Sequence, residues 1–200
     1  MTSVTIPSFY INLDRRPDRR EYFENECKKM NITVERFPAI EHSFPALGCN
    51  LSHLEVLKLA RERKYPSVMI FEDDFEFIVS KEEFTEICGL IPDDFDVVMI
   101  GYNLYHATVY NNTFAKVTDA RTASGYIVNS KFYDTLISNW EEASSLMANN
   151  LNRKDYVPYA NDKYWIRLQA KSNWFSTLKR VGKQREGYSD LEKTYVNYGI

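Results

Sequence analysis

Short apolar runs alternate along this chain with stretches whose apolar residues recur every three to four positions, the pattern of buried strands separated by amphipathic helices. Phe9-Tyr-Ile-Asn-Leu13 reads as the first strand. The basic run Asp14-Arg-Arg-Pro-Asp-Arg-Arg20 ends it, and Pro17 with Asp18 suits the first turn of a helix carrying Tyr22, Phe23, Cys27 and Met30 on its apolar positions. Val34-Glu-Arg-Phe37 predicts a second strand, and residues 38–48 a loop. A helix over residues 50–63 follows, with Leu51, Leu54, Leu57 and Ala60 on one face. Val68 to Phe71 is a fully apolar strand bounded by Ser67 and three acids. Residues 81–90 predict a short helix, and Asp96-Val-Val-Met-Ile-Gly101 another buried strand. A hairpin over 108–117 turns at Asn111-Asn112, and residues 122–128 form a strand interrupted at Ser124-Gly125, where a backbone approaches closely. Phe132, Tyr133, Leu136, Ile137 and Trp140 mark a helix, and residues 161–169 another, with Asn161 as its cap. From Trp174 the pattern gives one short strand and then a polar tail.

Strands alternating with helices predict one α/β domain over residues 1–200, with a mainly parallel central sheet flanked by helices. Two hundred residues suffice for a substantial core. No apolar run approaches the ~20 residues of a membrane-spanning helix, and Met1 to Pro7 lacks the basic start and long apolar stretch of a signal peptide. Cys27, Cys49 and Cys88 are odd in number and widely spaced, which reads as reduced core thiols and a cytoplasmic location. A net charge of -3 argues against a generic nucleic-acid surface. Fourteen Tyr and 12 Phe suit stacking on a base or sugar, although most of them are expected in the core.

The chemistry concentrates where the strand at 68–71 ends, at Glu72-Asp73-Asp74. In an open α/β sheet ligands bind outside the carboxyl ends of the strands. Three adjacent carboxylates repel one another and call for water, a basic partner or a cation. A hard divalent ion that shares its shell with phosphate oxygens satisfies them. Asn12 to Arg19 lies at another strand end, and its guanidinium groups suit a diphosphate, although Asp14 and Asp18 are competing partners. In Gly48-Cys-Asn-Leu-Ser-His53 the histidine lies near a helix start, where the dipole favours an anion. The Gly101 strand end is expected to face the same crevice. On spacing alone Asn161-Asp162 reads as a helix cap, and only a topology that turns it toward the strand ends would let the Asp162 carboxylate accept the proton of a hydroxyl. The polar run from Gln184 to Asp190 suits a loop that closes over a ligand.

Taken in order, these pieces resemble family 25 glycosyltransferases, which include lipopolysaccharide and collagen galactosyltransferases. The likeness is carried by Tyr10-Ile-Asn-Leu-Asp-Arg-Arg-Pro-Asp-Arg19, Phe37-Pro-Ala-Ile40, Gly48-Cys-Asn-Leu-Ser-His53, Ile70-Phe-Glu-Asp-Asp74, Ala123-Ser-Gly-Tyr126 and Gln184 to Asp190. The resemblance implies a GT-A-type fold, a UDP-sugar donor with galactose as the first guess, manganese or magnesium, and inversion at the anomeric carbon. It implies Asp74 and Glu72 as metal ligands and Asp162 as the catalytic base. Asn12, Arg15, Arg19, Ser52, His53, Glu72, Asp73, Gly101 and Gln184 are then the donor-binding residues. The implied partners are a nucleotide sugar and a glycan or hydroxyl-bearing protein acceptor, as in lipopolysaccharide biosynthesis. A peripheral membrane contact stays open. Acceptor specificity is expected in loops at 102–112 and 155–159. Two other readings remain at this stage. One is a sugar-nucleotide-binding module without turnover. The other is a haloacid-dehalogenase-like phosphatase, disfavoured because Asp74-Phe-Glu-Phe77 lacks the second Asp and the Thr of that chemistry.

Overall fold

The computed structural model describes residues 6–151, 155–190 and 193–197. The expectations for Met1 to Thr5, and for the parts of the polar tail at 191–192 and 198–200, fall outside the described residues. In chain order the elements are β1 (Ser8–Asn12), α1 (Pro17–Met30), β2 (Glu35–Pro38), α2 (Pro45–Glu62), β3 (Ser67–Glu72), β4 (Phe75–Phe77) and α3 (Lys81–Gly89). They continue as β5 (Val97–Val109), β6 (Phe114–Asn129), α4 (Tyr133–Asn149), α5 (Asn161–Tyr164), α6 (Ile166–Gln169), β7 (Trp174–Thr177), β8 (Gly182–Gln184), β9 (Gly187–Ser189) and β10 (Thr194–Val196).

The central sheet has the order β2-β1-β3-β6-β5-β7. Only β6 runs against the other five strands, pairing antiparallel with both β3 and β5. The expected mainly parallel sheet flanked by helices is therefore present. Along β3 the side chains alternate between two cores. Val68 and Ile70 pack with Leu54, Leu57, Leu136 and Trp140 of α2 and α4. Met69 and Phe71 pack with Phe23 and Cys27 of α1 and Phe84 of α3. Burial on both faces is why this strand carries no polar residue between Ser67 and Glu72.

Five expectations need correction. Helix α2 begins at Pro45, inside the expected loop, because proline is preset for a first helical position. Gly48, a loop signal in sequence, lies within that helix, since a Cβ there would sit 2.6 Å from the Ile40 carbonyl oxygen. Residues 102–109 belong to β5 rather than to a specificity loop, and the Tyr102 hydroxyl donates to the Thr177 carbonyl within the core. The tail after β7 forms three further short strands, and β8 pairs with β4. Asn161 is not a side-chain cap. Its N–H donates to Asn50 Oδ1 at 2.8 Å, which ties α5 to α2.

The β4–β8 pair fixes the acidic turn. Phe75 follows Asp74 directly, and its fully buried ring fills a slot formed by Gly101, Gly125 and Gly182. A Cβ on Gly182 would lie 1.9 Å from the Phe75 ring, and one on Gly125 would lie 2.5 Å from it. Gly101 is thus an anchor for the turn and not a donor contact. Gly182→Ala is expected to destabilise the fold by about 1–3 kcal/mol through overpacking. A lowered urea midpoint at unchanged slope checks this.

Candidate functional site

The carboxyl end of the sheet opens into a cavity of about 230 Å³. Arg15, Arg19, Ser52, His53, Glu72, Asp73, Asp74 and Gln184, eight of the residues singled out in sequence, line it. Three others, Asn12, Gly101 and Asp162, are not in its wall.

Each acid of the triplet has a different environment. Asp73 is buried and committed to protein partners, accepting from Asn12 Nδ2 at 2.7 Å and from Arg19 at 2.8 Å. Burial raises its carboxyl, opposed by Arg19 and Asn12. Asn12 is itself oriented by Arg36, whose Nε donates to Asn12 Oδ1 at 3.0 Å. It positions the acid and does not reach the cavity. Asp74 accepts from Arg19 at 3.2 Å and from Gln184 Nε2 at 3.3 Å through Oδ2. Its Oδ1 is buried with no hydrogen-bond partner among the described residues. Burial first, and the Glu72 charge second, push the Asp74 carboxyl up to about 7 against the pull of Arg19. Glu72 turns the other way, to His53 Nε2 at 3.1 Å and the Cys49 thiol at 3.9 Å. His53 is fully buried, and its Nδ1 lies 2.7 Å from the Tyr126 hydroxyl. Ser52 is occupied in the scaffold, accepting from the Ile40 N–H at 2.8 Å and donating to the Gly48 carbonyl at 2.7 Å.

The basic side of the cavity comes from the start of α1. Arg16 and Arg15 both pair with Asp190, at 2.6 and 3.3 Å, and Arg19 donates to the Tyr188 carbonyl at 2.9 Å. The β9 segment therefore lies across the arginines, with Ser189 and Asp190 in the cavity wall. An anionic carboxylate already sits where guanidinium groups converge, the interaction that a phosphate would make. Sequence reasoning chose Arg15 and Arg19 from this run and passed over Arg16, while Asp190 entered only as the end of a loop expected to close over a ligand.

Asp162 sits behind Cys49 and Glu72, and both its Coulombic coupling to Glu72 and its burial raise its carboxyl, burial being the larger effect. It accepts the Thr122 N–H at 3.1 Å. Thr122 occupies the left-handed region at φ 76°, which is strained for a β-branched residue. The cause is a bulge. Gly101 pairs with Gly125 but Asn103 with Arg121, so two steps along β5 match four along β6. Bulges of this kind redirect groups toward a site, and here an amide is turned onto Asp162. Asn50 clamps the same region, donating to the Tyr159 carbonyl at 2.8 Å while accepting from Asn161. Thr122 and Asn50 carry no sequence signal of this role.

No family model matches the chain. An 83-residue stretch covering 42% of it is 36% identical to a Haemophilus influenzae protein that carries a glycosyltransferase name, of which the match spans 29%. A second match, 28% identical over 97 residues and covering 34% of the chain and 16% of the relative, is a Drosophila pseudoobscura protein named as a glycosyltransferase 25 family member. The chain thus spans well under half the length of these curated relatives. The likeness to family 25 read from the motifs is shown by them at modest identity and over part of each chain. Among solved structures, the chain matches a glycosyltransferase described as involved in glycosylating the major capsid of PBCV-1, at a TM-score of 0.59 and 11% identity over 94% of this chain and 96% of that one. It also matches A197 from STIV, at 0.54 and 14% over 96% and 93%. At such identities the match speaks for the fold alone.

Proposed function

We propose that this chain, similar in sequence to family 25 glycosyltransferases and in fold to a solved glycosyltransferase, transfers a hexose from a UDP-sugar to a hydroxyl group with inversion. Galactose is the first candidate sugar, and a glycan or protein hydroxyl the acceptor class. The observation that carries the reading is the unpartnered, buried Asp74 Oδ1 beside a cluster of arginines. A buried carboxylate oxygen left without a donor calls for a ligand. An oxygen-only donor such as this, next to guanidinium groups that suit phosphate, fits a hard divalent cation that shares its shell with a diphosphate. Asp74 would hold the ion, with Glu72 as the second carboxylate. When bound, the ion neutralises charge on the departing nucleoside diphosphate.

In this reading Arg15, Arg16 and Arg19 grip the diphosphate, with Arg15 and Arg16 exchanging the Asp190 carboxylate for phosphate oxygens. Asp162 accepts the proton of the acceptor hydroxyl as that oxygen bonds to the anomeric carbon. The Thr122 amide holds the receiving carboxylate in place.

Thermal denaturation with a panel of nucleotide sugars, with and without manganese, tests the donor assignment. A UDP-sugar at 100 times its Kd is expected to add about 2.7 kcal/mol of stability, and only when the divalent ion is present. Equal shifts with and without the ion, or none with any nucleotide, would sink the assignment. Binding followed by neither transfer nor donor hydrolysis would leave the chain as a recognition module.

A further inference from the structure

Cys49 and His53 stand four residues apart on α2, so their side chains share one face of the helix. Glu72 arrives opposite them from the end of β3. The Cys49 Sγ, a ring nitrogen of His53 and a carboxylate oxygen of Glu72 all lie within 4.8 Å of one another. We propose that these three side chains form a binding site for a thiophilic divalent cation of the zinc class, which shares Glu72 with the proposed oxygen site at Asp74 and draws its other two ligands from α2.

Three features support it besides proximity. A thiolate and an imidazole with one carboxylate is a donor set that favours zinc over magnesium, calcium or manganese. The Tyr126 hydroxyl holds His53 Nδ1 at 2.7 Å, which leaves Nε2 directed into the cluster. Such an outer partner is the usual companion of a metal-bound histidine. All three ligands also line the cavity, which provides an entry path and an open fourth position. Binding releases the Cys49 proton to solvent, and the metal takes the sulfur lone pair. Cys49 is a free thiol, as the sequence suggests, and it lies in the cavity wall rather than deep in the core.

The test does not rest on the donor reading, because it uses metal alone. Cobalt(II) titrated into the reduced 200-residue chain, without nucleotide, is expected to give a near-ultraviolet sulfur-to-cobalt charge-transfer band that saturates at one equivalent. Zinc should bleach the band and manganese should not. Cys49→Ser should abolish it, whereas Cys27→Ser and Cys88→Ser should keep it. Tyr126→Phe should weaken cobalt affinity roughly 10–100-fold, a readout available should the Cys49 variant fold poorly. Absence of the band in the parent chain, its persistence in Cys49→Ser, its loss in either control, or bleaching by manganese would each overturn the proposal.

Discussion

Asp74→Asn is expected to abolish sugar transfer while making the metal-free protein more stable at neutral and mildly alkaline pH. The two effects share one cause. The carboxylate is buried beside Glu72, and its pKa is raised from the ordinary 3.8 to about 7. Between those values the folded chain keeps a proton that the unfolded chain has released. Stability from this group is therefore lost as pH rises through the window, and the full penalty is present above about 7. Asn removes the charge and keeps the size. In a chelating buffer the variant should exceed the parent by about 2–4 kcal/mol at pH 8, since each pKa unit corresponds to about 1.4 kcal/mol. It should match the parent near pH 4. Urea denaturation at both pH values reads the difference. With a divalent ion and donor supplied, loss of a ligand that helps neutralise the leaving group should lower turnover by roughly 10³-fold or more. A variant that transfers sugar normally, or that is less stable than the parent at pH 8, would remove Asp74 from the role assigned to it.

Asp162→Asn should lower turnover by about 10²–10⁴-fold, the usual contribution of a positioned general base. Donor binding in the thermal assay should stay intact, because Asp162 is outside the cavity that holds Asp74 and the arginines. The amide keeps an oxygen to accept the Thr122 N–H, so the bulge and the clamp from Asn50 should survive, and native circular dichroism checks that. A kcat that falls with an unchanged KM for the donor identifies a group acting on the acceptor proton. Near-parental turnover would move the base elsewhere.

The order of strands and helices was legible in the residues themselves. Runs such as Val68 to Phe71 have no polar position to offer solvent and so had to be strands buried on both faces. The acidic and basic ends of those strands were equally visible, because charge is excluded from such interiors and collects where the strand leaves the core. Together with the resemblance to family 25, that local chemistry singled out Arg15, Arg19, Ser52, His53, Glu72, Asp73, Asp74 and Gln184, which line one cavity.

Tertiary structure decided which partner each of them meets. Three chemically equivalent carboxylates become an internal ion pair at Asp73, an unpartnered oxygen at Asp74 and a thiol–imidazole neighbour at Glu72. The differences come from residues 19, 49, 53 and 184, distant in the chain. Gly101 moved from ligand contact to packing because the ring of Phe75, on another strand, needs its missing Cβ. The Thr122 amide was turned onto Asp162 by a bulge that exists only through the mismatch of β5 and β6. Hydrophobic periodicity is local and survives in one dimension. The pairing of polar groups depends on which chain segments the packed core brings together, and only three dimensions hold that information.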